Sequence, residues 1–214
     1  MSPRSADRPP GVLFVTDRNA TQGRPLLPVV TAALEGGVSF VQVREKDLPA
    51  APLLQIATEI VAEARRVWGD KARVVVNGRL DVAIAAKAAG VHLAADGLPV
   101  AGVRRQVRPR FLVGRSVHAL AEAREAEKAG ADYLLFGPIF TTPGKAAYGA
   151  PQGVAALRRV LETVRIPVWA IGGITAETAS ELRGLPLAGV ASIGAIAGAS
   201  DPKESARALQ AALA

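Results

Sequence analysis

The 214 residues include no cysteine, 26 Lys and Arg against 19 Asp and Glu, and only 4% aromatic side chains. The missing thiols exclude disulfides, thiolate metal sites and cysteine nucleophiles, and they fit a reducing, cytoplasmic setting. A formal charge of +7 suits an anionic partner; with few rings to stack bases and arginines scattered among helical segments, a phosphorylated small molecule is expected and nucleic acid is not.

The first residues, "MSPRSADRPPG", hold charges and prolines without an apolar stretch. Residues 1–10 therefore read as a disordered lead-in, not a secretory signal, followed by one domain over 11–214. Eight apolar, β-rich runs then recur: "GVLFVTD", "VSFVQVR", "RVVVNG", "GVHLA", "FLVGRS", "ADYLLFG", "IPVWAIGG" and "AGVASIG". They are continuous rather than alternating, as strands of a parallel sheet covered on both faces are. Segments rich in Ala, Glu and Arg separate them. In "HALAEAREAEKAGA" the helical spacing turns Leu120, Ala123, Ala126 and Ala129 toward the sheet. Gly36–Gly37, Gly90 and Gly130 stand where helical segments hand over to strands, and left-handed C-terminal caps are expected there. The longest uncharged run, "GLPLAGVASIGAIAGAS", is short for a membrane span and broken by Gly and Pro, so no membrane is expected as partner. Eight βα units in this length point to a single (β/α)₈ TIM barrel of parallel strands. An open doubly wound sheet is the alternative, though no GxGxxG follows the first strand.

In such a barrel the loops that follow the strands gather at one mouth. Those loops hold Asp17 and Arg18, then Arg44, Glu45 and Lys46, then Asn77, Ser116 and His118, then Thr141, Thr142 and Lys145. Arg44 follows Gln42 at strand spacing, so both point inward, and cations at a pocket mouth can clamp a phosphate or pyrophosphate. "IGGI" (Gly172, Gly173) and "SIGAI" (Ile193, Gly194) occupy the seventh and eighth loops, where glycines let backbone N–H groups approach phosphate oxygens. "FGPIFTTPGKAAYG" places Lys145 in a glycine-rich turn that is no Walker loop, because Ala146 stands where Ser or Thr is required. His118 is a candidate general acid or base, whereas His92 lies within a strand and reads as core. Two histidines, with strand-end carboxylates limited to Asp17, Glu45 and Asp96, make a poor donor set for zinc.

"QVREK", "VVVNGRLDVA", "GVHLA", "VGRSVHALAEAREAEKAGADYLLFGPIF", "PVWAIGGIT" and "GVASIGAI" together resemble the thiamin-phosphate synthase and TenI superfamily, collinearly from about Leu13 to Ala197. The resemblance implies a barrel that binds thiazole phosphate and assembles as a homo-oligomer. It implies one of two chemistries. Synthases join a pyrimidine diphosphate to thiazole phosphate and release pyrophosphate with Mg²⁺; TenI-like members aromatise a thiazole carboxylate phosphate by proton transfer. Carried over by position, Gln42, Arg44 and Lys46 would hold the pyrimidine diphosphate with Asn77 beside it, Ser116 and Thr142 would contact ligand, and Lys145 would meet pyrophosphate.

Three positions depart from the synthase pattern. Gly78 and Gly97 stand where metal-binding aspartates are usual, with Asp96 one position early, and Gly144 replaces a hydroxyl residue before Lys145. The expectation is therefore a TenI-like, metal-independent thiazole tautomerase that needs no cofactor, with His118 moving the proton and Lys145 steadying the ligand's charge. An Mg²⁺-dependent synthase, with Asp96 as metal ligand, is the alternative. A non-catalytic sensor of a phosphorylated ligand is the third reading.

Overall fold

The computed structural model describes residues 11–141 and 150–214. Eight strands alternate with helices: β1 (Gly11–Val15), β2 (Phe40–Val43), β3 (Arg73–Asn77), β4 (Gly90–Leu93), β5 (Leu112–Val117), β6 (Tyr133–Phe136), β7 (Val168–Ile171) and β8 (Gly189–Ser192). Each pairs in parallel with its sequence neighbour, and β8 closes on β1 through Val12–Val190 and Leu13–Ala191. The sheet is a closed eight-stranded barrel, so the open-sheet alternative is set aside.

Closure explains why the strands read as continuous apolar runs. One parity, including Leu13, Val15, Phe40, Val75, Leu135 and Ala191, fills the barrel interior together with Tyr133, Trp169 and Ile171. The other parity, including Val12, Phe14, Val41, Val74, Val76, Leu134 and Val190, packs under the helices. Phe40 meets Tyr133 and Trp169 edge-on at 5.2 and 5.5 Å, which fills the barrel floor with large rings.

The helices are α1 (Leu26–Glu35), α2 (Ala50–Trp68), α3 (Leu80–Ala85), α4 (Val100–Arg104), α5 (Leu120–Lys128), α6 (Gly153–Thr163), α7 (Ala176–Ser180), α8 (Gly194–Ala197) and α9 (Pro202–Leu213). In α2, Leu53, Ala57, Ile60, Val61 and Ala64 form the buried stripe. In α5, Ala123 and Ala126 are buried, with Leu120 and Ala129 against the same core, as the spacing required. Among the described residues no helix is long and apolar enough to cross a membrane.

Of the expected left-handed glycines, Gly37 (φ 109°) and Gly130 (φ 93°) have that conformation. Gly90 does not. It opens β4, and the left-handed residue after α3 is Lys87 (φ 53°). Gly90 is required for room instead, since a Cβ there would lie 2.1 Å from the Leu112 carbonyl oxygen on the neighbouring strand.

Candidate active site

All strands point the same way, so their C-terminal ends form one mouth, and the inward parity of β2 to β5 delivers polar groups to it. Gln42 on β2 is 2% exposed. Its Nε2 donates to Asn77 Oδ1 on β3 at 3.0 Å, while its Oε1 is buried without a hydrogen-bond partner among the described residues. His92 on β4 bridges Ser116 Oγ at 2.8 Å and the Tyr133 hydroxyl at 3.1 Å. Burial, then the charges of Arg115 and Arg44, push the His92 imidazole down to about 3. It is neutral at physiological pH. His92 is thus a core residue, as its strand position suggests, but its two nitrogens serve a polar layer immediately beneath the mouth.

The rim above β1 and β2 is tied together by Glu45, which is 4% exposed. Its carboxylate accepts from Thr16 Oγ1 at 2.6 Å and from the Arg18 amide at 2.9 Å. Thr16 Oγ1 in turn accepts from the Arg44 amide at 2.9 Å. The Arg18 guanidinium grips Asp47 with two bonds of 2.6 and 2.5 Å, which raises its own pKa and lowers that of Asp47. Asp17 caps the following turn through the Asn19 amide at 3.0 Å. Three of the charged residues at these strand ends, Asp17, Arg18 and Glu45, are therefore engaged in holding loops. Lys46 is exposed, and with Asn77, Gly78 and Arg79 it lines a cavity of about 220 Å³ between the second and third loops.

Arg115 braces the fourth loop by donating to the carbonyls of Ala95 at 2.7 Å and Leu98 at 2.9 Å. Asp96, within that braced turn, is exposed. A resident Mg²⁺ would need one or two carboxylates with near-octahedral geometry. Gly78 has open space where a side chain would go but supplies no oxygen, and Glu45 is committed to Thr16 and Arg18. Among the described residues no group of three His, Cys, Asp or Glu side chains could hold a metal ion. Among the described residues, Asp96 is left as a carboxylate at this mouth that could join substrate oxygens around a Mg²⁺, with no three-residue cluster beside it.

On the opposite side of the mouth, Gly172 (φ 100°) and Gly173 (φ 66°) follow β7. They lie against the sixth loop: the Ile139 and Phe140 amides donate to the carbonyls of Ile171 and Gly172 at 2.9 and 3.0 Å. A Cβ on Gly172 would fall 2.5 Å from Pro138 Cα, and one on Gly173 2.7 Å from Phe140 Cβ. These glycines serve the packing of two loops as well as any ligand. Gly194 differs, because a Cβ there meets open space. It opens α8 after Ile193, whose carbonyl receives the Ile196 and Ala197 amides; the Gly194 and Ala195 amides precede them at the helix start.

His118 is exposed at the end of β5. Its Nδ1 lies 2.5 Å from the Gly137 carbonyl oxygen, just past β6, and its amide donates to Glu122 at 2.7 Å. A carbonyl only accepts, so Nδ1 donates to it, and in the neutral imidazole Nε2 is the nitrogen with the free lone pair. Thr142 and Lys145 lie outside the described residues.

Comparison with known proteins decides the family. A model described as thiamine monophosphate synthase matches residues 12–196. The chain belongs to the thiamine monophosphate synthase family. Among relatives, a Geobacter sulfurreducens protein with the provisional name of thiamine-phosphate synthase is 46% identical over 202 residues, 94% of this chain and 92% of that one. A Roseiflexus sp. thiamine-phosphate synthase is 38% identical, covering 95% and 86%. The solved structure of a thiamine phosphate pyrophosphorylase from Pyrococcus furiosus superposes with a TM-score of 0.84 at 35% identity, covering 95% of each chain. This chain is an enzyme of the thiamine monophosphate synthase family, and the names of its relatives side with the transferase alternative rather than with the tautomerase expected from Gly78 and Gly97.

The Thr16–Glu45–Arg18 clasp and the Tyr133–His92–Ser116 chain are not legible in the sequence. Tyr133 sits inside an apolar strand with nothing to mark it as polar-facing. Parity offered a usable signal, because Gln42, Asn77, His92 and Ser116 all fall on the inward face of adjacent strands.

Proposed function

We propose that the chain is a thiamine-phosphate synthase, joining a pyrimidine diphosphate to thiazole phosphate with release of pyrophosphate. The observation that supports this reading is the buried Oε1 of Gln42, which has no partner among the described residues. A buried acceptor without a donor is costly, and a ligand N–H aimed at it recovers that cost on binding. Thiamin's pyrimidine carries an amino group that can donate there, whereas a thiazole carboxylate phosphate has only acceptors to offer. Asn77 fixes the other end of the Gln42 amide, so the acceptor is preoriented toward the ligand.

On this reading Arg44 and Lys46 attract the diphosphate, joined by Lys145, and Ser116 donates to it, with Thr142 beside the ligand. The seventh and eighth loops, with Gly172, Gly173, Ile193 and Gly194, seat the thiazole phosphate. The thiazole nitrogen displaces pyrophosphate from the pyrimidine methylene carbon. The chain's contribution is to align the two substrates across the mouth and to stabilise charge on the leaving oxygen. Cytoplasmic residence, and no nucleic acid or membrane as partner, belong to the same reading, as does assembly into a homo-oligomer.

A second reading, thiazole tautomerase, is favoured by one specific observation: His118 is anchored through Nδ1 to the Gly137 carbonyl, which leaves Nε2 as a base at the mouth. One experiment separates the two. The purified chain is incubated with pyrimidine diphosphate and thiazole phosphate, with and without added Mg²⁺, and in parallel with the thiazole carboxylate tautomer. Thiamine phosphate as product is expected. Aromatisation of the tautomer without any thiamine phosphate would overturn the transferase reading and install the second.

A further inference from the structure

The chain of polar groups behind Ser116 has a direction. His92, Gly114 and Tyr133 stand in register across β4, β5 and β6. Gly114 leaves the space between them open: a Cβ there would lie 2.1 Å from Tyr133 Cζ. The Tyr133 ring therefore passes beneath β5 and brings its hydroxyl 3.1 Å from His92 Nδ1, with ring centroids 5.6 Å apart. Tyr133 is 3% exposed and His92 1%, and His92 Nδ1 is the partner that the structure gives the phenol among the described residues.

A buried O–H must be donated somewhere, and the acceptor within reach is Nδ1. A neutral imidazole has one N–H. With Nδ1 accepting, the proton sits on Nε2, which donates to Ser116 Oγ at 2.8 Å. The single hydrogen of Ser116 is then turned away from His92 and toward the mouth. Burial, with Arg115 and Arg44 nearby, opposes a second proton on the ring. The reverse polarity would strand the Tyr133 O–H in an apolar core and present Ser116 as an acceptor, a poor partner for an anion.

We propose that Tyr133 and His92 form a one-way hydrogen-bond relay that fixes Ser116 as a donor to an anionic oxygen in the barrel mouth. His92 is a positioning residue, and Tyr133 sets its tautomer. The relay rests on the transferase reading only for the identity of the anion, a diphosphate.

Two measurements test it. The first is the tautomer of His92 by long-range ¹H–¹⁵N NMR on histidine-labelled protein without substrate. The Nε2–H form is expected, unchanged from about pH 5 to about pH 9; a dominant Nδ1–H form overturns the relay. The second is a double-mutant cycle read as affinity for inorganic pyrophosphate. Tyr133→Phe preserves the ring packing and is expected to weaken binding about 3- to 10-fold, and Ser116→Ala about 10-fold. In the Ser116→Ala background, Tyr133→Phe should change affinity less than about twofold. Equal losses in both backgrounds, or no pyrophosphate binding by the parent chain, overturn the proposal. If the tautomer and the cycle agree but no thiamine phosphate forms, the transferase reading fails while the relay stands.

Discussion

Replacing Gln42 by Met separates binding from folding at the residue on which the transferase reading most depends. Gln42 is 2% exposed, its Oε1 has no partner among the described residues, and its Nε2 holds Asn77 at 3.0 Å. An orphaned buried acceptor costs about 1–3 kcal/mol, and the lost Gln42–Asn77 bond returns about 1 kcal/mol against that. Met matches the length of Gln and has no strong polar group. The variant should thus be as stable as the parent or more stable by up to about 2 kcal/mol, a rise of up to about 8 °C in Tm for a chain of this size. Catalysis should move the other way. A pyrimidine amino group facing Met loses its acceptor, and kcat/KM should fall about 10- to 100-fold, mostly through KM for the diphosphate. Urea denaturation and initial rates of pyrophosphate release read both effects. A Met variant that is less stable than the parent while kcat/KM is unchanged would refute the reasoning, because Gln42 would then serve the fold and not the ligand.

The seventh and eighth loops, proposed to seat phosphate, make a contrast that needs only alanine. Gly194→Ala should leave Tm within about 1 °C, since its Cβ meets open space, yet weaken thiazole phosphate binding in calorimetry by placing a methyl at the helix start. Gly173→Ala, at φ 66° and against Phe140, should lower Tm by several degrees; unaltered phosphate affinity in Gly194→Ala would remove the eighth loop from the site. On the helical layer, Arg66 and then Thr31 hold the Glu63 carboxyl at about 2, below its ordinary 4.5. A depressed folded value stabilises above the unfolded one, so this contribution is complete at neutral pH and lost as pH falls from about 4.5 to about 2. Arg66 is 60% exposed, which keeps it under about 1 kcal/mol; Glu63→Gln should flatten acid unfolding in that window, and an unchanged profile would count against the pairing. His118→Asn distinguishes the readings directly: thiamine phosphate formation should be almost unaffected, whereas a tautomerase would lose about 10²- to 10⁴-fold in kcat.

The barrel was legible because its signal is repeated eight times: the strands are short apolar runs, and longer helices such as α2 and α5 have buried stripes with a period near 3.6. Strand ends fix where Arg44 and Gly172 emerge, whereas Asn77 and Ser116, expected in the loops, are the last residue of β3 and the penultimate residue of β5. What the sequence could not supply was the pairing across strands. Glu45 reads as a free rim carboxylate, and only the fold shows Thr16 and Arg18, from the preceding strand's end, consuming both of its oxygens. Tyr133 is one more apolar residue until Gly114 is seen to leave room for it beside His92. Gly90 shows the opposite failure, a glycine taken for a cap that is needed because a neighbouring strand passes too close for any Cβ. The preference for a tautomerase came from two loop positions, Gly78 and Gly97, weighed against a chain that matches named synthases over nearly its full length.

The electrostatics of the mouth bear on how those two glycines can coexist with a transferase. Three carboxylates around the entrance are engaged, Glu45 by Thr16 and Arg18, Asp47 by Arg18, and Asp81 by Arg79 at 2.6 Å, while Asp96 is exposed. Arg115 directs its N–H groups to two carbonyls, an arrangement that satisfies its hydrogen bonds without cancelling its charge. Arg115 and Arg44 lie close enough to His92 to lower its pKa, after the larger effect of burial, so two cations stand beside the same polar layer. The mouth is thus a cationic cup with a neutral polar floor, and low-dielectric walls strengthen its field on an anion. Aspartates at 78 and 97 would make the same cup less positive and leave it in need of a cation to accept a diphosphate. Without them, the guanidinium groups at the mouth can do part of the charge compensation that a divalent ion would otherwise supply.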